Sequence, residues 1–307
     1  VEFVLHLAVF VCIQGIVAIA ATLLMGFAGL MSVAQAGFAG IGAYVGALVA
    51  MRYGLPFPLP GLAGAAVAAG VSLVLSIPTL RLRGDYMAIA TLGFQFGIYG
   101  LLYNWNAVTG GAVGLRAIPQ PHLLGITVDT VAEHLVLALV SLAVVAAAAW
   151  WLGRGPFGRL LRGIRDDEVA TRSLGKDVVR VKTTIFAISA GISGFGGALY
   201  AQYVTYLHPD NFDVHHSIFL ISAIVVGGLA NVWGALAGTA LLVLLPEALR
   251  FAAVADVMIG PMQQMIYGGL LVAFVLLRPS GLVPEYGLRA RDTGGLKARR
   301  ETASDGA

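Results

Sequence analysis

Apolar residues fall in nine blocks separated by short polar breaks, at roughly 3–25, 36–51, 59–78, 86–103, 133–152, 183–206, 217–230, 233–249 and 260–277. A bilayer core of about 30 Å is crossed by about 20 mostly apolar helical residues. The pattern therefore predicts an all-α, polytopic membrane bundle of about eight to ten spans, nine as counted. Gly and Pro interrupt several blocks, which spanning helices tolerate when neighbours satisfy the freed backbone groups. The second, seventh and eighth blocks are short and open to being broken or re-entrant. The 217–249 region fits one helical hairpin turning near Asn231.

Composition strengthens this picture. Of 307 residues, 58% are hydrophobic and 11% charged, whereas soluble domains are about half apolar and about a quarter charged. Mean hydropathy is +0.86. Such a chain is not disordered, not a coiled coil and not a nucleic-acid-binding domain, although its pI is about 9.1. The 40 glycines have no three-residue period, which excludes collagen. Cys12, the lone cysteine, has no internal disulfide partner and reads as a small packing residue. The first block has no basic n-region, Glu2 being the only charge before His6, and is too long for a signal-peptide core. It is expected to be a retained span.

The placement of Lys and Arg sets orientation. With nine alternating spans, residues 79–85, 153–182 and 278–307 share one side and carry all basic residues except Arg52, Arg116 and Arg250. That side is expected to be cytoplasmic, with the N-terminus outside. Residues 1–285 form the membrane domain. The 286–307 tail, with Arg289, Arg291, Lys297, Arg299 and Arg300, reads as disordered cytoplasmic sequence suited to anionic lipid.

Residues 153–182 do not belong to a simple bundle. Eight basic and four acidic residues sit between two spans. Gly155-Pro156-Phe157-Gly158 breaks the preceding helix. Asp166, Asp167 and Glu168 then stand where a helix N-terminus favours acids, with Asp166 able to cap. Gly175 follows Leu174 as a C′ glycine would. The spacing predicts a helix of about two turns near 167–174. A solvated loop with orientation charges is the plain alternative; a docking helix for a cytoplasmic partner is the sharper one.

This loop resembles the cytoplasmic coupling loop of the LivM-type permease subunits of branched-chain amino acid ABC transporters. The resemblance rests on Gly158-Arg159, Arg165-Asp166-Asp167-Glu168, Ala170 and Ser173-Leu174-Gly175. Other motifs resemble the family in the same order. The first runs from Gly26-Phe27-Ala28-Gly29-Leu30-Met31-Ser32 through Gln35-Ala36-Gly37-Phe38 to Gly40-Ile41-Gly42-Ala43-Tyr44. The second is Leu80-Arg81-Leu82-Arg83-Gly84-Asp85-Tyr86, continuing to Phe94, and the third is Thr109-Gly110-Gly111-Ala112-Val113-Gly114-Leu115. Gly196-Gly197-Ala198-Leu199-Tyr200, Pro209-Asp210 with Phe212, and Val226-Gly227-Gly228-Leu229 with Trp233-Gly234 complete the set. The match covers about residues 5–285. Family members often carry one more span ahead of the first, and His215-His216 stand where small or apolar residues are commoner.

The resemblance implies a non-catalytic permease subunit of an ATP-driven amino acid importer in the bacterial inner membrane, with no cofactor. It implies a homologous sister permease, two cytoplasmic ATPase subunits gripping the 158–175 segments, and an extracytoplasmic substrate-binding protein. Leu, Ile and Val are the default substrates; urea, amides and other amino acids use related permeases.

The residues carry their own physical readings. Gly37, Gly40, Gly42 and Gly46 lie in one helix-length block; Gly42/Gly46 and Gly234/Gly238 have GxxxG spacing, which lets helices approach closely in lipid. Gly227-Gly228 and Gly194-Phe195-Gly196-Gly197 also suit helix breaks near a pathway. Thr109-Gly110-Gly111 suits either a carboxylate-holding nest or a tight turn. Gln14, Gln35, Gln95, Gln202, Gln263 and Gln264, with Glu247 near a span end, are pathway candidates or interhelical cross-links. His208, Asp210, Asp213, His215 and His216 do not match a metal-ligand pattern and read as a connector. Gly175-Lys176-Asp177 is not a Walker A loop, and no GxSxG, HExxH or CxxC occurs, so an intramembrane enzyme is disfavoured. An ion-coupled carrier acting alone is the alternative transporter, but it would need mid-membrane acids and no docking loop.

Overall fold

The computed structural model describes residues 2–79, 82, 84–123, 126–128, 130–251, 256–277 and 281–283. The expected 286–307 tail lies outside the described residues, as do Leu80, Arg81 and Arg83 of the second motif. Helix α1 (Glu2–Ala21) runs into a π-helical turn, Thr22–Phe27. Helices α2 (Gln35–Tyr53), α3 (Leu59–Thr79) and α4 (Asp85–Asn104) follow. A short α5 (Asn106–Thr109), a 3-10 turn (Gly111–Val113) and a two-residue strand pair, β1 (His122–Leu123) and β2 (Ile126–Thr127), lead to α6 (Val131–Arg154). Next come α7 (Pro156–Asp166), α8 (Glu168–Ser173) and the long α9 (Val178–Val204). A 3-10 turn (Pro209–Phe212) precedes α10 (Val214–Gly227), α11 (Val232–Phe251) and α12 (Asp256–Leu277).

Each of the nine apolar blocks is helical, and the count of nine spans is a loose one. Among the described residues, six helices are long and apolar enough to cross a membrane: Glu2–Phe27, Gln35–Tyr53, Leu59–Thr79, Tyr86–Asn104, Val131–Arg154 and Val178–Val204. Helix α10 has 14 residues, and α11 and α12 have 20 and 22, with described apolar stretches at Val232–Glu247 and Met262–Phe274. Helices α10 and α11 do form the expected hairpin. Asn231 starts α11, its Oδ1 accepting from the N–H of Trp233 at 3.0 Å and of Gly234 at 3.4 Å.

Lipid is as apolar as leucine, so helix contact in a membrane relies on close packing of small residues. The centre of this bundle follows that rule. A Cβ on Gly42 of α2 would stand 2.1 Å from the Gly194 carbonyl oxygen of α9. One on Gly64 of α3 would stand 2.5 Å from the Gly42 carbonyl oxygen, and one on Gly197 would stand 1.9 Å from that of Ala39. Three backbones therefore meet without side chains between them. Around this seam, Phe38 of α2 packs edge-on against Phe186 of α9. Between α10 and α11 the same device recurs at Gly227, Gly234 and Gly238. Helix α1 is buried along most of its length, whereas α3, α4 and α6 present Val74, Ile77, Ile89, Val136, Val144 and other apolar side chains outward.

Gly42→Ala is expected to cost about 1–3 kcal/mol, because the added methyl forces the α2–α9 backbones apart. Gly70→Ala, where a Cβ meets open space, is expected to be neutral or slightly stabilising. Thermal unfolding of the detergent-solubilised protein checks the pair.

Candidate functional site

Gly155 ends α6 with extended backbone, and Pro156 opens α7 at a position where its missing N–H is no loss. Helix α7 is amphipathic. It buries Gly158, Leu161 and Ile164 against the end of the bundle and leaves Arg159 exposed. Gly158 has to be glycine for this seat, since a Cβ there would lie 2.1 Å from the Gly153 carbonyl oxygen.

Two arginines of α7 grip the π-helical turn at the end of α1. Arg165 Nη1 donates to the Gly26 carbonyl oxygen at 2.7 Å. Arg162 Nη2 donates to the Gly153 carbonyl oxygen at 3.2 Å, and its guanidinium lies 5.8 Å from the Phe27 ring centre. Helix ends leave carbonyls unsatisfied, and a π turn adds irregularity; Arg165 supplies a charged donor there. Gly29, at φ +66°, makes room for that side chain, since a Cβ would meet Arg165 Cγ at 2.7 Å. On its other side the turn abuts the α10–α11 connection, where Gly26 lies against Ala230.

The acids of the connector are engaged within the chain. Asp167, not Asp166, caps α8: its Oδ1 accepts from the N–H of Val169 at 2.9 Å and of Ala170 at 3.0 Å. Asp166 instead ends α7, 3.4 Å from Arg165 Nε. The sequence placed the cap one residue early because α7 continues through Asp166 and only Asp167 adopts the extended backbone a cap requires. Glu168 binds Arg172 at 2.9 Å and Lys182 of α9 at 2.7 Å. The Lys182 side chain is only 12% exposed, so this second pair ties α8 to α9 where water screens weakly. Gly175, at φ +76°, turns the chain away, and Asp177 caps α9 through the N–H of Arg180 at 3.1 Å.

Among its charges the connector also offers apolar side chains outward. Val169 is 65% exposed and Leu174 79% exposed, with Ala170 between them also exposed. Sequence reasoning weighted the acids and overlooked Val169; the available signal was a β-branched apolar residue stranded in a polar loop.

Of the predicted interior polar residues, Gln35 and Gln95 stand in cross-links. The N-terminus of α2 is buried inside the bundle, and its orphan N–H groups find side chains of other helices: Ala36 N donates to Ser217 Oγ at 3.3 Å, and Gly37 N to Gln95 Oε1 at 2.7 Å. Gln95 Nε2 donates in turn to the Phe212 carbonyl oxygen at 2.7 Å. Gln35 Nε2 donates to Ser189 Oγ at 2.9 Å and its Oε1 accepts from Ser193 at 2.7 Å, while Ser189 donates to the Ala20 carbonyl oxygen at 2.7 Å. Gly40 abuts Phe212 and Leu102. Gln14 and Gln202 differ, each burying an Oε1 with no hydrogen-bond partner.

At the opposite end, Thr109 Oγ1 donates to the Leu102 carbonyl oxygen at 2.7 Å and accepts from Gly111 N at 3.2 Å, while Gly110 and Gly111 have φ of +73° and +57°. The three residues form a tight turn packed beside the Leu115–Leu207 bridge. Gly227 and Gly228 sit at the α10–α11 turn, Gly228 at φ +122°, and the carbonyl oxygens of Val226 and Gly227 accept from the N–H groups of Leu282 and Val283 at 2.9 Å. No group of His, Cys, Asp and Glu able to hold a metal occurs among the described residues.

Fold and connector together define a polytopic helical membrane protein with a folded, capped element locked to the basic end of its bundle. The chain belongs to the family described as branched-chain amino acid transport system / permease component, matched over residues 3–275. It is 35% identical to the high-affinity branched-chain amino acid transport system permease protein LivM of Salmonella typhimurium, over 85% of this chain and 65% of the relative. The Escherichia coli LivM is 34% identical over the same shares. An autoinducer 2 import system permease protein, LsrC of Klebsiella pneumoniae, is 25% identical over 54% of this chain and 46% of its own length. The chain thus spans about 65% of the length of the LivM relatives it matches. No solved structure matches it.

Asp167→Ala is expected to fray α8, costing it about 1 kcal/mol, whereas Asp167→Asn keeps the cap. Amide hydrogen exchange across 168–173 is expected to rise in the first variant and not in the second.

Proposed function

We propose that this chain is the membrane permease subunit of an ATP-driven importer for branched-chain amino acids. It pairs with a homologous permease to enclose the pathway, binds two ATPase subunits at its basic end, and receives substrate at the opposite end from an extracytoplasmic binding protein. The basic end and the C-terminus face the cytoplasm of a bacterial inner membrane, in line with the bias of Lys and Arg. ATP hydrolysis belongs to the partners. This chain converts their motion into alternating access.

The observation that carries this reading is the connector. A lone linker has no use for two capped helices whose acids are engaged within the chain and which hold Val169 and Leu174 exposed. Exposed apolar side chains on a rigid element are what a partner's groove buries. The element is also mechanically joined to the bundle. Lys182 carries force from α8 into α9, and Arg165 carries it from α7 into the π turn of α1. A partner that pushes α8 therefore displaces two central helices together.

The test is ATP-driven uptake of labelled leucine by proteoliposomes holding the complete assembly. Val169→Glu combined with Leu174→Glu is expected to weaken the ATPase contact and reduce uptake at least about tenfold, the usual cost of losing interface anchors, with thermal unfolding of the chain unchanged. Wild-type uptake by the double variant, or uptake by this chain alone driven by an ion gradient, would overturn the proposal.

A further inference from the structure

A cavity of about 330 Å³ opens beside α1, between α2, α9 and the turn ahead of α10. Its size lies at the small end of ligand pockets, which run from ~300 to ~1,000 Å³. Its wall has two chemically distinct halves. Phe10, Ile13, Val17 and Tyr200 form an apolar half. Asp210 and Asp213 form the other, with Gln14, Asn211 and His216 beside them. Lys and Arg are absent from the described lining residues.

The two carboxylates are held by neutral donors. Asp210 Oδ1 accepts from the Tyr99 hydroxyl at 2.7 Å, and Asp213 Oδ1 accepts from the N–H of His216 at 3.0 Å. His208 stands beside Asp210, its Nδ1 3.2 Å from Oδ2. Its Nε2 lies 3.0 Å from the Ala112 carbonyl oxygen, and its Nδ1 lies 3.3 Å from the backbone nitrogen of Asp210. His215 stands 3.9 Å from Asp213 on an exposed side. Gln14 adds a third acceptor, an Oε1 buried with no partner. A cavity that gathers two carboxylates and an orphan carbonyl oxygen, with no Lys or Arg among its described lining residues, is suited to a cationic donor.

The cavity is also closed on one side. Ala39 and Gly197 line it, and Gln35 and Ser193 lie four residues earlier on the same helices, one turn of about 5.4 Å nearer the basic end. There the Gln35–Ser189–Ser193 network, saturated by the Ala20 carbonyl, joins α1, α2 and α9.

We propose that this cavity is a transient binding site for one zwitterionic amino acid with a branched aliphatic side chain, deepening the transport reading and resting on it. The substrate's ammonium group sits on Asp210, Asp213 and Gln14 Oε1. Its carboxylate meets the Asn211 and His216 side chains, and its hydrocarbon packs on Phe10, Ile13, Val17 and Tyr200. The glutamine–serine network below is the closed floor that must open for passage.

Saturation-transfer NMR on the nanodisc-embedded complex, without binding protein, tests this with leucine, leucine methyl ester and 4-methylpentanoate. Leucine and its ester, which keep the ammonium, are expected to give signal and to compete; 4-methylpentanoate is not. Asp210→Asn with Asp213→Asn keeps the Tyr99 contact and the α10 cap but removes both charges. It is expected to weaken leucine at least about tenfold, as loss of charge-assisted hydrogen bonds does. Equal binding of 4-methylpentanoate and the ester, or wild-type leucine binding by the double variant, would overturn the site. Leucine uptake measured on the same preparations separates the two readings. Uptake with no leucine signal removes the site and leaves the transport reading standing. Loss of both removes the transport reading and the site with it.

Discussion

The contact of the α2, α3 and α9 backbones at Gly42, Gly64 and Gly194 is the constraint on which the rest of this bundle depends. In lipid there is no hydrophobic gain from bringing two helices together, so the contact must come from dispersion across closely approaching atoms. Glycine provides that approach at a cost in backbone entropy. Once α2 is seated on α9, its N-terminus is committed to the interior. The N–H groups of Ala36 and Gly37 then need Ser217 and Gln95, and Gln35 comes within reach of Ser189 and Ser193. The polar residues of the core follow from the glycine seam.

The same seam makes α9 a stiff rod with different chemistry at its two ends. Lys182 binds the connector at one end, and Gly196, Gly197 and Tyr200 border the cavity roughly 20–27 Å away at ~1.5 Å per residue. Helix α1 repeats the arrangement, with Gly26 held by Arg165 and Gln14 on the cavity. In this account a displacement of α7 and α8 reaches the cavity through two helices that cannot bend independently, because the Ser189–Ala20 hydrogen bond and the Gln35 bridge tie them together. The π turn at Thr22–Phe27 is the irregular, adaptable piece in an otherwise regular path.

Much of this was legible in the sequence. Block lengths gave the helices, Asn231 gave the hairpin turn, and the break at Gly155-Pro156 with acids downstream gave a capped element between spans. The rest depended on contacts between distant residues. That Asp167 rather than Asp166 caps α8 turns on where α7 stops, and α7 is extended by the burial of Leu161 and Ile164 against helices far away in the chain. That Glu168 is occupied by Lys182, leaving Val169 and Leu174 outward, is invisible to any local pattern. The glutamines looked alike in sequence; only their neighbours divide the saturated Gln35 and Gln95 from Gln14, whose Oε1 lacks a partner. The span count was the loosest part of the reading, because α10, at 14 residues, is helical and apolar yet shorter than a full crossing.

The central claim is that motion passes from the connector into the bundle through the Arg165 guanidinium on the Gly26 carbonyl. The most direct measurement is the number of leucines imported per ATP hydrolysed in proteoliposomes of the full assembly, compared for wild type, Arg165→Ala and Arg165→Lys. The account predicts that Arg165→Ala still hydrolyses ATP but imports far fewer leucines per turnover, and that Arg165→Lys, which can still donate to that carbonyl, recovers part of the ratio. An Arg165→Ala assembly with the wild-type ratio would contradict it.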